Sequence, residues 1–113
     1  MKIVDKKITI AELKEMAEKM FGDFVKSVVD VEKEIIAVDA SLHADEEKLL
    51  IEEGSKQKNL WGVNLYPNSK ESDWIEFDSM INLRPSFGNK TRGVDDINIQ
   101  EKIIRIINKL VER

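Results

Sequence analysis

Apolar residues recur at spacings of three and four early in the chain, where Ile10, Leu13, Ala17, Met20 and Phe21 line one face of a helix. Thr9 and Glu12 form the T-x-x-E capping box that opens this helix, and Gly22 supplies the left-handed residue with which many helices end. Residues 2–7, just ahead of it, read as a short strand. The pattern then changes. Val25–Val31 and Ile35–Ala40 are rich in β-branched residues and flank Glu32-Lys33-Glu34, which predicts an antiparallel hairpin. A second helix is expected over residues 44–53, with Asp45, Glu46 and Glu47 in the first turn, where the helix dipole favours acids, and Gly54 past its end.

Strict alternation returns in Leu60–Tyr66, with Trp61, Val63 and Leu65 on one face and Gly62, Asn64 and Tyr66 on the other, until Pro67 ends the run. After a polar turn, Ile75, Phe77, Ser79, Ile81 and Leu83 alternate with Trp74, Glu76, Asp78, Met80, Asn82 and Arg84. That period predicts one long strand, or two joined at Ser79-Met80, with the odd positions facing inward. Residues 85–95 form a long loop, of a length that tends to be functional. Asp95 or Asp96 then caps a last helix with a buried stripe of Ile99, Ile103, Ile106, Ile107 and Leu110.

The resulting order, β-α-β-β-α-β-β-α, predicts an α+β domain with a mostly antiparallel sheet of about five strands and the helices on one face. A chain of 113 residues with 42% hydrophobic content has room for a single core, so residues 1–113 are expected to form one domain. Helices on one side leave Asn64, Tyr66, Asn82 and Arg84 on the other. A register slip of one residue would exchange the faces and bury Arg84.

Charge locates the first candidate chemistry. Against 22 Asp plus Glu and 18 Lys plus Arg, the segment from Ser79 to Val94 contains no acid. Arg84, Asn89, Lys90 and Arg92 gather there, with Asn82 and Asn64 on the adjoining strands. Arginine recognises phosphate or carboxylate with two parallel hydrogen bonds, and Gly88 and Gly93 let backbone N–H groups turn toward an anion. The structural alternative is that Arg84 or Arg92 pairs with Glu76, Asp78 or Asp96. The only histidine, His43, precedes Glu46 and Glu47 by three and four positions, a set that suits Mn, Fe or Zn if one helix face presents it. Here too there is an alternative: acids in a first helical turn are ordinary dipole partners.

The net charge of −4 argues against broad nucleic-acid binding, which draws on Lys and Arg to neutralise phosphates. The absence of cysteine removes disulfides, thiolate nucleophiles and sulfur metal sites. In the opening MKIVDKKIT, Asp5 interrupts any apolar run, so neither a signal peptide nor a membrane segment is expected, and the chain is placed in the cytoplasm. The common nucleotide, redox, zinc-protease and calcium motifs are missing, and the residues name no cofactor.

The segments SLHADEEKLLIEEGS, NLWGVNLYP, IEFDSMINLRP and GNKTRGVDD resemble a family of small prokaryotic proteins known only as a domain of unknown function. The resemblance extends over nearly the whole chain. It implies a complete protein of that family and brings no activity with it. Three functions therefore fit the residues. The first is a binding module for a small anionic ligand or acidic peptide through the Arg84 to Arg92 loop. The second is a small metal-assisted enzyme using His43 with Glu46 and Glu47. The third is a homodimeric or partner-binding structural protein using the Trp74, Met80 and Tyr66 face.

Overall fold

In the computed structural model, which describes residues 1–113, strand β1 (Lys2–Val4) is followed by the two-residue β2 (Ile8–Thr9) and helix α1 (Ile10–Lys19). The capping box is formed in full: Glu12 N donates to Thr9 Oγ1 at 3.1 Å while Thr9 N donates to Glu12 Oε2 at 2.8 Å. The hairpin follows as β3 (Val25–Asp30) and β4 (Ile35–Val38), and Asp30 Oδ1 accepts from Glu32 N and Lys33 N to turn the chain. Helix α2 (His43–Glu52) leads to β5 (Leu60–Leu65), β6 (Ile75–Glu76), α3 (Ile97–Leu110) and β7 (Val111–Glu112).

The five main strands are antiparallel in the order β1-β4-β3-β5-β6. Central β3 pairs Val28 with Ala37 on one side and with Gly62 on the other. The expected α+β order and five-stranded antiparallel sheet are present; β2 and β7 add a small parallel pairing that ties the two ends of the chain together.

The helices do not share one face. Val25 and Val29 of β3, Trp61, Val63 and Leu65 of β5 and the α3 stripe Ile103, Ile106, Ile107 and Leu110 join Leu13 and Ala17 of α1 in the main core. On the opposite face Val28, Ala37 and Leu60 pack with Leu50 of α2. The physical reason lies in β3, which is buried on both sides and needs a cover on each. Because α2 covers only part of its face, the sheet surface around Lys26 and Asn64, partners across β3 and β5, is left to line a cleft.

The long strand expected over 74–84 also breaks up. Ladder pairing stops after Glu76, and Ser79 Oγ accepts from Ile81 N to start a tight 3₁₀ turn over Met80–Asn82. Trp74, expected to point outward, belongs to the 3₁₀ turn Ser72–Trp74 and packs in the main core, so strand alternation does not govern it. Phe77 packs against the main core and Ile81 against the α2 side, which no single strand face would allow. Asn82 is fully buried rather than outward. Its amide clips the backbone of Gly62: Gly62 N donates to Asn82 Oδ1 at 2.8 Å and Asn82 Nδ2 donates back to Gly62 O at 3.0 Å.

Candidate functional site

The sheet face that α2 leaves open becomes one wall of a cleft of about 510 Å3, closed by the first residues of α2 and by the segment Glu76–Ile81. Lys26 and Asn64 rise from β3 and β5, His43 and Ala44 come from the start of α2, and Tyr66, Glu76, Asp78, Ser79 and Arg92 complete the polar lining. Leu42 and Met80, both exposed, stand at its rim.

Asp78 and Arg92 neutralise each other in this cleft, while Glu76 is held by neutral donors. Arg92 Nε meets Asp78 Oδ1 at 2.8 Å. Glu76 Oε1 accepts from Asn64 Nδ2 at 2.9 Å and from the Tyr66 hydroxyl at 3.2 Å. Burial first, and the Glu76 carboxylate after it, pushes the Tyr66 hydroxyl above its ordinary range. Lys26, like Glu76, has no ion-pair partner. Its ammonium lies 5.4 Å and 5.9 Å from the ring centroids of Phe21 and Phe24, which stack on each other.

Two buried groups in the lining have unused hydrogen-bonding capacity. Asn64 Oδ1 has no partner. His43, 7% exposed, holds Val63 O at 2.8 Å through Nε2, and because a carbonyl only accepts, Nε2 carries the proton. Burial is the main force holding the imidazole neutral, helped by the cations of Lys26 and Arg92 and opposed by the Val63 bond and Asp78. The neutral ring therefore leaves Nδ1 as a free acceptor. No side chain caps α2 at Leu42, so the first N–H groups of the helix also lack a side-chain acceptor.

Of the residues the sequence pointed to, the cleft brings together Asn64, Arg92 and His43. The others lie outside it. Arg84 donates through Nη1 to Gln57 O at 2.8 Å and through Nη2 to Leu60 O at 3.0 Å, and its guanidinium lies 4.3 Å over the Trp61 ring. Asn89 is a buried hub: its Nδ2 reaches Asn82 O, Thr91 O and Gly93 O, and its Oδ1 accepts from Asp95 N at 2.8 Å. Asn82 Nδ2 also donates to Arg92 O at 2.9 Å. Lys90 is exposed, and its backbone N–H donates to Asp95 Oδ2 at 2.6 Å.

His43 and Glu46 both lie in α2, yet each is turned to a separate task. Glu46 is fully buried, accepts from Ala40 N at 3.2 Å, and is pushed by burial up to about 10, which keeps it protonated and uncharged at neutral pH. Glu47 Oε2 is buried without a partner, and its charge acts on Arg84. No group of three or more His, Cys, Asp or Glu side chains is arranged to hold a metal ion. On the face expected to pair with another protein, Trp74 is core while Met80 remains 62% exposed.

Sequence reasoning missed Lys26. The signal was present: it is the one charged residue inside the apolar run from Phe24 to Val29, and a lysine in a central strand faces either a partner or a cavity.

Residues 2–110 match the family model described as protein of unknown function (DUF5674), and the chain belongs to that family. Neither the curated proteins nor the solved structures contain a match to it. No helix is long and apolar enough to cross a membrane.

Proposed function

We propose that this DUF5674 protein is a binding module for a small organic acid that also carries a hydroxyl or amine donor, held in the cleft between β3, β5 and the start of α2. The reading rests on Lys26, a cation that forms no ion pair in a cleft whose other cation, Arg92, is held by Asp78. A carboxylate or phosphate would meet the Lys26 ammonium and the uncapped start of α2, where N–H groups and helix dipole both favour an anion. The donor of the same molecule would satisfy Asn64 Oδ1 and His43 Nδ1. A cleft of about 510 Å3 is of the size that small-molecule sites use. Asn64 and Arg92 stay in the site from the sequence reading; Arg84, Asn82 and Asn89 serve the scaffold that shapes it.

The test is an amide NMR titration of labelled protein with acetate, glycolate, glycine and a hydroxyl-bearing phosphate monoester. Saturable shifts at Lys26, His43 and Asn64 with the donor-bearing acids, weaker with acetate and lost in Lys26→Ala, are expected. If none of the four moves those residues, the reading is wrong.

A second reading, an enzyme with His43 as general base, draws on the same free Nδ1, since an imidazole fixed at Nε2 by a carbonyl is oriented to take a proton at its other nitrogen. Diethyl pyrocarbonate tests the placement that both readings share: acylation of His43 that the bound acid blocks is expected, and equal acylation with and without the acid would remove His43 from the site.

A further inference from the structure

On the α3 side of the sheet a second, smaller hollow of about 230 Å3 opens between Lys58, Trp61, Arg84, Phe87 and Ile99. None of these five residues lines the cleft described above. Its composition is unlike the rest of an acidic surface: three apolar side chains, two cations and no acid.

Its donors are not all spent. Arg84 uses Nη1 and Nη2 on backbone carbonyls, while its Nε–H is buried with no acceptor. The Trp61 indole N–H, in a residue 7% exposed, likewise has none. Both atoms are shielded from solvent, so they reach an incoming carbonyl or carboxylate only after a side-chain shift, which would return the free energy of an unmet donor. Lys58 takes part in no ion pair.

The apolar part is also unspent. Phe87 is 76% exposed, the most exposed large hydrophobic residue of the chain. It is nevertheless held firmly, in a 3₁₀ turn that begins at Pro85, closes through Phe87 N to Arg84 O at 3.0 Å, and ends at Gly88 with φ of 87°. Leu83 and Ile97, both exposed, lie on the same two segments of chain. Below roughly 300 Å3 a hollow is too small for most free ligands but takes one large side chain.

We propose that this hollow is a docking site for a peptide segment of a partner protein, one that sets an aromatic or long aliphatic side chain against Phe87, Trp61 and Ile99 and an adjacent Asp or Glu carboxylate against Arg84 and Lys58. Charge complementarity selects that occupant. Two cations, of which only Arg84 feels a nearby acid, Glu47, attract a carboxylate, yet they do not make the long electrostatic track that a nucleic-acid strand needs. The aromatic anchor with a cation beside it is the usual chemistry of an interface hot spot.

Selection of a displayed random-peptide library on the full chain tests this, with Phe87→Ser and Lys58→Glu as counter-targets. Both side chains are exposed and make no hydrogen bond or ion pair, so the variants are expected to melt with the parent. The expected result is enrichment of sequences that pair an aromatic or long aliphatic residue with Asp or Glu. A synthetic peptide from that set should lose at least about tenfold in affinity for each variant, and again when its acids become amides. It should bind Lys26→Ala as it binds the parent, which keeps this site separate from the acid-binding cleft. No enrichment above Phe87→Ser, or enriched peptides without acids, would overturn the proposal. So would a dimer in sedimentation that Phe87→Ser dissolves, since the patch would then be covered by a second copy.

Discussion

Glu46→Gln should change how stability depends on pH more than it changes stability at any one pH. Glu46 sits on the first turn of α2 with its carboxyl fully buried, Oε2 accepting from Ala40 N at 3.2 Å and Oε1 without a partner. Burial dominates its ionisation; Lys26 and the amino terminus favour the charged form, Asp39 opposes it, and the outcome is a pKa raised from 4.5 to about 10. In the unfolded chain the same carboxyl loses its proton near 4.5. Between those values the unfolded state therefore binds one proton fewer than the folded state. The sign follows: the stability that protonated Glu46 contributes is complete below about pH 4.5 and is lost as pH rises toward 10. The slope is about 1.4 kcal/mol per pH unit, so roughly 4 kcal/mol disappears between pH 5 and 8, against a total of about 5–15 for a domain of this size. Glutamine keeps the shape and offers a carbonyl to Ala40 N–H, but it does not titrate. Its extra N–H donors add a penalty of about 1 kcal/mol that does not vary with pH. His43 titrates in both proteins and cancels in the difference. Urea unfolding of the two proteins at pH 5, 6, 7 and 8 should show the variant gaining on the parent by about 1 kcal/mol or more at each step. Parallel curves, with a constant gap across the range, would refute the argument from burial.

Three further substitutions probe the scaffold around the cleft. A Cβ on Gly62 would lie 2.5 Å from Ser79 Cβ and 3.2 Å from His43 Cδ2, so Gly62→Ala should cost about 1–3 kcal/mol in chemical denaturation, and adding Ser79→Gly should recover part of it; strict additivity would contradict the clash. Asn89→Asp turns a donor to Asn82 O at 2.7 Å and Gly93 O at 2.9 Å into an acceptor, for an expected loss of about 3 kcal/mol by thermal melting, and an unchanged midpoint would show that the hub is dispensable. Thr9→Ala breaks the capping box and should cost about 1 kcal/mol in urea unfolding, with a loss under a few tenths counting against the cap.

The elements that were legible in the sequence are those whose causes are local. The α1 capping box is written in residues three apart, the hairpin in two β-branched runs, and the α3 stripe in a spacing of three and four; each is present where the pattern put it. The segment after Trp74 failed because its determinants lie far along the chain. Asn82 leaves the strand period to bond the backbone of Gly62, twenty positions away, and that partner has no side chain through which a pattern could announce it. The partners of the candidate site residues were hidden for a related reason. An acid-free stretch holding Arg84, Asn82 and Asn89 looks like an unpaired patch when partners are counted among side chains. Their actual acceptors are carbonyl oxygens of residues 57, 60, 62, 82, 91, 92 and 93, a currency that every residue carries and no composition reveals. Lys26 is the converse case. It forms no ion pair, and it stands in a strand otherwise closed to water, so the most informative cation was the one the pattern of the strand could not accommodate. Charges that interrupt a buried run are therefore better pointers to a cleft in this fold than charges that cluster on a loop, because a loop can fold its cations onto nearby carbonyls and carboxylates, as Arg84 and Arg92 do, and a strand interior cannot.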